Sequence, residues 1–213
     1  MSETTARNVD FVHAVYGNFP LMLAVISLVM FLLLARAFRS VVLAAKAVAL
    51  NVVSLGAAYG FLVVFWQNGH GSDLIYGVPA IGSIRDFIPI LVFAFLFGLS
   101  MDYEVFLLAR MREEYDRTAS TEQAIVGGLA RTGRLVTSAA LILAVSFLSL
   151  STNHDLPVRV IATALAFGIL FDAFVIRTLL VPALVALFGR FNWWMPRAFG
   201  RLLRAEPAAR TAG

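Results

Sequence analysis

Four ionisable side chains stand where almost everything around them is apolar: Asp102, Glu104, Asp172 and Arg177. A carboxylate near the middle of a bilayer costs roughly 2.5 to 3.5 kcal/mol on insertion scales, so a chain that keeps such groups uses them to pair, to bind or to move protons. Successive helical residues turn by about 100°, so Asp102 and Glu104 point to nearly opposite faces and cannot share one site. Glu104 lies nearer to Arg110 and is expected to reach the inner interface. Asp172 and Arg177 are five residues apart, a spacing that favours partners on other helices over a direct bridge. Tyr103 adjoins Asp102 and could hydrogen-bond a carboxylate on another helix.

Three uses of such groups compete. Two acids at one depth on two helices could share a proton, as in an intramembrane aspartyl protease. That reading is weak: proteases of that kind place Tyr before one Asp and a Gly-x-Gly-Asp turn at the other, whereas Tyr103 follows Asp102, and Gly168-Ile-Leu-Phe precedes Asp172. The acids could instead titrate in a relay, or form a static ion pair that fixes packing. No other catalytic arrangement is expected. His13, His70 and His154 lack ligand-like spacing and the chain has no cysteine, so neither a metal site, a disulfide nor any cofactor is expected.

The elements that must hold these groups are long apolar segments. Of 213 residues, 60% are hydrophobic and 14% charged, and the mean hydropathy is +0.84, values outside the range of soluble domains. A span needs about 20 mostly apolar residues. Five segments qualify, over residues 19–37, 47–66, 87–109, 135–151 and 158–181, the last with an interfacial continuation to 189. The fold class expected is all-α, a polytopic membrane bundle of about five helices. Pro182 cannot donate a backbone hydrogen bond, so a kink is expected between Thr178 and Pro182, with Trp193 and Trp194 anchoring the remainder of the segment at the interface. Asp102 falls 16 residues after Asp86 and Asp172 falls 15 after Pro157, which puts both roughly 22 to 24 Å below the outer boundary. If the two helices are neighbours, these acids could converge.

Thirteen of the 17 bases lie between spans one and two, between three and four, or after span five. The positive-inside rule then places the N-terminus outside and the C-terminus in the cytoplasm. Residues 1–18 form a short extracytoplasmic tail without a signal-peptide pattern, and 190–213 form a basic cytoplasmic tail. The net charge of +4 is accounted for by the inner loops, so no nucleic-acid role is expected. Ser120 and Gln123 have capping-box spacing, and Ile125, Val126 and Leu129 suit a short amphipathic helix acting as a connector. Gly56 with Gly60 forms a small-xxx-small pair, and Ser54, Thr137 and Ser138 are placed to bond between helices.

The stretch Gly98-Leu-Ser-Met-Asp-Tyr-Glu-Val-Phe-Leu107 resembles a signature of the MMPL (mycobacterial membrane protein large) family, in the resistance-nodulation-division superfamily of exporters. Phe38–Leu43, Gly128–Arg134, Asp172–Arg177 and Val181–Leu184 through Asn192–Pro196 resemble further family stretches, in the same order. The resemblance implies the last five helices of a proton-motive-force-driven exporter of lipids, lipid-linked compounds or drugs in a bacterial inner membrane. It implies that Asp102 and Tyr103 form an intramembrane proton-relay pair, and that Asp172 and Arg177 supply the acid and base of the last family helix. Family members have two membrane halves with large outer domains. The resemblance covers only the second half's final helices, so a first-half subunit or a second copy of the chain is the expected partner. A scaffold or remnant subunit is the alternative.

Overall fold

In the computed structural model, residues 3–196 and Gly200 are described, with side chains from residue 17 onward. All regular structure among the described residues is helical, and five helices are long and apolar enough to cross a membrane. Helix α1 runs Glu3–Phe38 with Pro20 inside it. Helix α2 (Val41–Phe61) starts where extended Ser40 accepts from the Leu43 amide at 3.1 Å, and it continues into a π-helical segment, Leu62–Gln67. The connection to the next span holds the five-residue α3 (Ser72–Tyr76). Gly71 before it takes a φ of 108° and lies against Phe65, whose ring a Cβ would meet at 2.8 Å, so both the turn and the contact call for glycine.

Helix α4 (Phe87–Thr118) ends at Ala119, itself left-handed with a φ of 51°. Helix α5 (Thr121–Leu150) follows at once, its first turn capped by Ser120, which accepts from the Gln123 amide at 3.3 Å. The expected cap is therefore formed, but the residues read as a separate connector helix are the first turns of α5. Ala124 and Gly128 are buried there, and Arg117 and Arg131 both pair with Glu114 on α4. The last span is one long helical run: α6 (Leu156–Phe171), a π-helical segment (Asp172–Leu180), α7 (Val181–Phe188) and a 3₁₀ turn (Gly189–Trp193). Its departure from α geometry begins at Asp172, well upstream of Pro182, which sits in the first turn of α7.

Small residues decide how closely the spans approach. A Cβ on Gly128 would meet Met111 Cγ at 2.5 Å, and one on Gly168 would meet Leu96 Cδ1 at 2.5 Å. These two glycines let α5 and α6 pack on α4. Gly56 and Gly60, expected to do such work, face open space, and Ser138 bonds back to Arg134 O in its own helix at 2.9 Å.

The end of the last span fastens the end of the bundle that carries the basic loops. Ser40 Oγ donates to the Asn192 carbonyl, and the Val41 amide to the Trp194 carbonyl at 3.3 Å. Lys46 Nζ donates to the Leu184 carbonyl at 2.8 Å and to Asn192 Oδ1. Trp193 stacks on Tyr115 at 4.0 Å between centroids and donates to Thr121 Oγ1 at 3.1 Å. Trp193 is thus packed inside the protein and is no interfacial anchor, whereas Trp194 is exposed. The tail over 190–213 lies largely outside the described residues.

Candidate functional site

In a π-helix each amide bonds to the fifth residue back, so side chains five apart share a face. The segment Asp172–Leu180 does this, and it overturns the expectation that Asp172 and Arg177 would pair with other helices in preference to each other. Arg177 Nε donates to Asp172 Oδ2 at 2.7 Å, and Nη2 approaches the same oxygen at 2.6 Å. Both residues are buried, Asp172 6% and Arg177 4% exposed. Helix α4 completes the cluster through Ser100. Its Oγ donates to Asp172 Oδ1 at 3.0 Å, and its carbonyl accepts from Arg177 Nη2. The Arg177 guanidinium also lies over the Tyr103 ring, 5.3 Å from the centroid, a cation–π arrangement. Arg177 Nη1 has no hydrogen-bond partner.

Ser100, Tyr103, Asp172, Arg177 and Ser54 line a cavity with about 10 Å³ of room, the space of a single water. Both oxygens of Asp172 are engaged, one by a hydroxyl and one by a guanidinium, and losing the charge of either partner of such a buried pair leaves the other uncompensated. The arrangement suits either a static pin or a site whose two protonation states pack differently.

Three of the four residues expected to form the relay, Tyr103, Asp172 and Arg177, come together. Asp102 does not join them. Ser100 touches Asp172, so the two acids do lie at similar depth, but Asp102 is about 200° round α4 from Ser100 and is exposed on the outside of the bundle. The expected convergence of Asp102 with Asp172 within this chain is therefore absent. Glu104 also departs from expectation. It does not reach an aqueous boundary: it is 3% exposed, and its Oε1 has no hydrogen-bond partner. Ser100 was not singled out in the sequence, although a small hydroxyl four residues before Glu104 marks the same helix face. Among the described residues no cluster of three or more potential metal ligands exists.

The family model described as "MMPL family" matches residues 3–210. The chain belongs to the MMPL family. Among its MMPL-type relatives, the mycolic acid-containing lipids exporter MmpL11 of Mycolicibacterium smegmatis is 44% identical over 93% of this chain. The trehalose monomycolate exporter MmpL3 of the same organism is 38% identical over 93%, and the membrane protein YdfJ of Bacillus subtilis is 36% identical over 94%. The chain spans 21%, 19% and 28% of the lengths of these relatives, respectively. The MMPL-like stretch Gly98–Leu107 lies within α4 and carries both Ser100 and the exposed Asp102.

Proposed function

We propose that this chain is a membrane component of a proton-motive-force-driven exporter of lipids, lipid-linked compounds or drugs, and that it carries part of the proton relay. The observation that supports this most is the buried Asp172–Arg177–Ser100 cluster bridging the last span to α4, in a chain whose MMPL relatives include named lipid exporters. Asp102, Tyr103, Asp172 and Arg177 are the relay residues. Asp102 lies on the outside of the bundle, where a first-half subunit or a second copy would cover it. Tyr103, one residue on, lies beneath the Arg177 guanidinium.

Protonating Asp172 removes the counter-charge of Arg177. Breaking a buried pair from one side costs about 3 to 5 kcal/mol, so α4 and the last span would repack to relieve it. One proton moving down a 100 mV potential supplies about 2.3 kcal/mol, the same order as that cost. Electrostatic loss at one buried site therefore becomes helix movement that distant domains can use. No covalent chemistry is required, and the chain is not an enzyme in this reading. It sits in the bacterial inner membrane with its N-terminus outside and its C-terminus in the cytoplasm, a reading supported by the distribution of bases.

The test is proton-gradient-dependent transport in cells or proteoliposomes, with the chain alone and co-expressed with a full-length or first-half homologue. Transport that needs the partner and is lost in Asp102→Asn supports a split exporter. An Asp102→Asn variant that keeps full transport sinks the relay. The alternative, a membrane scaffold, is favoured by one observation, the complete pairing of Asp172; it predicts no effect of Asp102→Asn in any setting.

A further inference from the structure

Glu104 is a buried acid outside the set of relay residues, and its position follows the helix geometry. It lies one turn after Ser100 on the same face of α4. Val181 and Leu50 lie one turn from Arg177 and Ser54 in the same direction along the last span and α2. The two cavities repeat this step. Ser54, Ser100 and Arg177 line the first; Leu50, Glu104 and Val181 line the second, together with Lys46. They are stacked along the same three helices, the second nearer the end that carries the basic loops. Like the first, it has about 10 Å³ of room, enough for one water. Glu104 is 3% exposed and its Oε1 has no protein partner. Across the cavity, Lys46 is already held by the Leu184 carbonyl and Asn192 Oδ1, with its ammonium 3.9 Å from the centre of the Phe188 ring.

We propose that Glu104 is a proton-carrying residue on the cytoplasmic side of the relay, taking protons from the Asp172 cluster and releasing them through the cavity it shares with Lys46. This role rests on the proton relay proposed for the chain. In release, the carboxyl O–H bond breaks, the proton passes to the cavity water and on to bulk water, and the carboxylate left behind faces the Lys46 ammonium. In recharging, a protonated Asp172 gives up its proton and returns to its ion pair with Arg177 while Glu104 becomes neutral again. The charged groups facing Glu104 are Lys46 from α2, and Asp172 and Arg177 from the last span. An unpaired carboxylate in an apolar cavity is costly, so each release from Glu104 is followed by recharging from Asp172.

Two measurements on the full chain in lipid vesicles test this. The first is infrared difference spectroscopy as pH is varied. A carboxylic C=O band present in the wild type, lost in Glu104→Gln and kept in Asp172→Asn is the expected result; no such band at any pH at which the protein stays folded overturns the proposal. The second is gradient-driven proton flux, co-reconstituted with the first-half homologue. Glu104→Gln is expected to lower it by on the order of 10-fold or more, as loss of a proton-transfer group does, with Glu104→Asp restoring part of it. Flux lost in Asp172→Asn but unchanged in Glu104→Gln overturns the role of Glu104 and leaves the relay standing. Flux absent in the wild type, or unchanged in both variants, overturns the relay and this role with it.

Discussion

The acids of this chain differ in what surrounds them, and that difference separates the results expected from mutating them. Asp172 has a hydroxyl on one oxygen and a guanidinium on the other. Asp172→Asn strands Arg177, so unfolding in detergent should show a loss of about 3 to 5 kcal/mol. Asp172→Asn combined with Arg177→Met should cost much less than the sum of the single changes, because the pair acts as a unit; simple additivity would mean that the bridge contributes nothing. Asp102 is exposed, so Asp102→Asn should change stability by no more than about 0.5 kcal/mol while abolishing proton-driven transport. Equal losses of stability in Asp102→Asn and Asp172→Asn would contradict the geometry. The sequence singled out Asp102, Glu104, Asp172 and Arg177 by charge within apolar runs, and Tyr103 by its place in the MMPL-like stretch. It could not tell which of them would meet, because depth can be counted along a helix whereas azimuth depends on neighbours that hydropathy does not name. Glu104 was misplaced for that reason: its distance to Arg110 suggested an interface, and only its shared face with Ser100 pointed inward.

At the scale of elements, hydropathy alone locates five helices able to cross a membrane, since a span is a matter of length and composition. Hydrogen-bond register is invisible at that level. Nothing in Asp172–Leu180 advertises a π-helix, yet the wider turn is what turns a five-residue spacing into a bridge. The approach of helices was also only partly legible. Glycine pairs at helical spacing draw attention in any span, but Gly56 and Gly60 face open space, whereas Gly128 and Gly168 take the close contacts. Gly168→Ala should push α6 from Leu96 and cost about 1 to 3 kcal/mol by overpacking, measured by thermal unfolding in detergent, while Gly56→Ala should be close to neutral. A neutral Gly168→Ala would mean that Leu96 can swing aside and that the contact sets no distance.

For the whole molecule, large apolar side chains are left exposed along α1, α2 and α5, Leu28, Val53 and Ile142 among them. Such surfaces require lipid or another protein. The absence of native cysteine makes orientation simple to measure. Ser83→Cys in the connection between α3 and α4 and Glu122→Cys at the start of α5 are both exposed positions. An impermeant thiol reagent added to intact cells should label Ser83→Cys and spare Glu122→Cys; the reverse pattern would invert the topology read from the bases.

The fastening of Asn192, Trp193 and Trp194 onto Ser40, Val41, Lys46, Tyr115 and Thr121 has a consequence in time. A chain made from its N-terminus presents its first spans to the membrane before residues 192–194 exist. Until they emerge, the ends of α2, α4 and α5 nearest the basic loops lack the contacts that join them to the last span. Assembly of this bundle is therefore completed late and from that end, and a chain halted after Phe188 would hold all five spans with these ends unlatched.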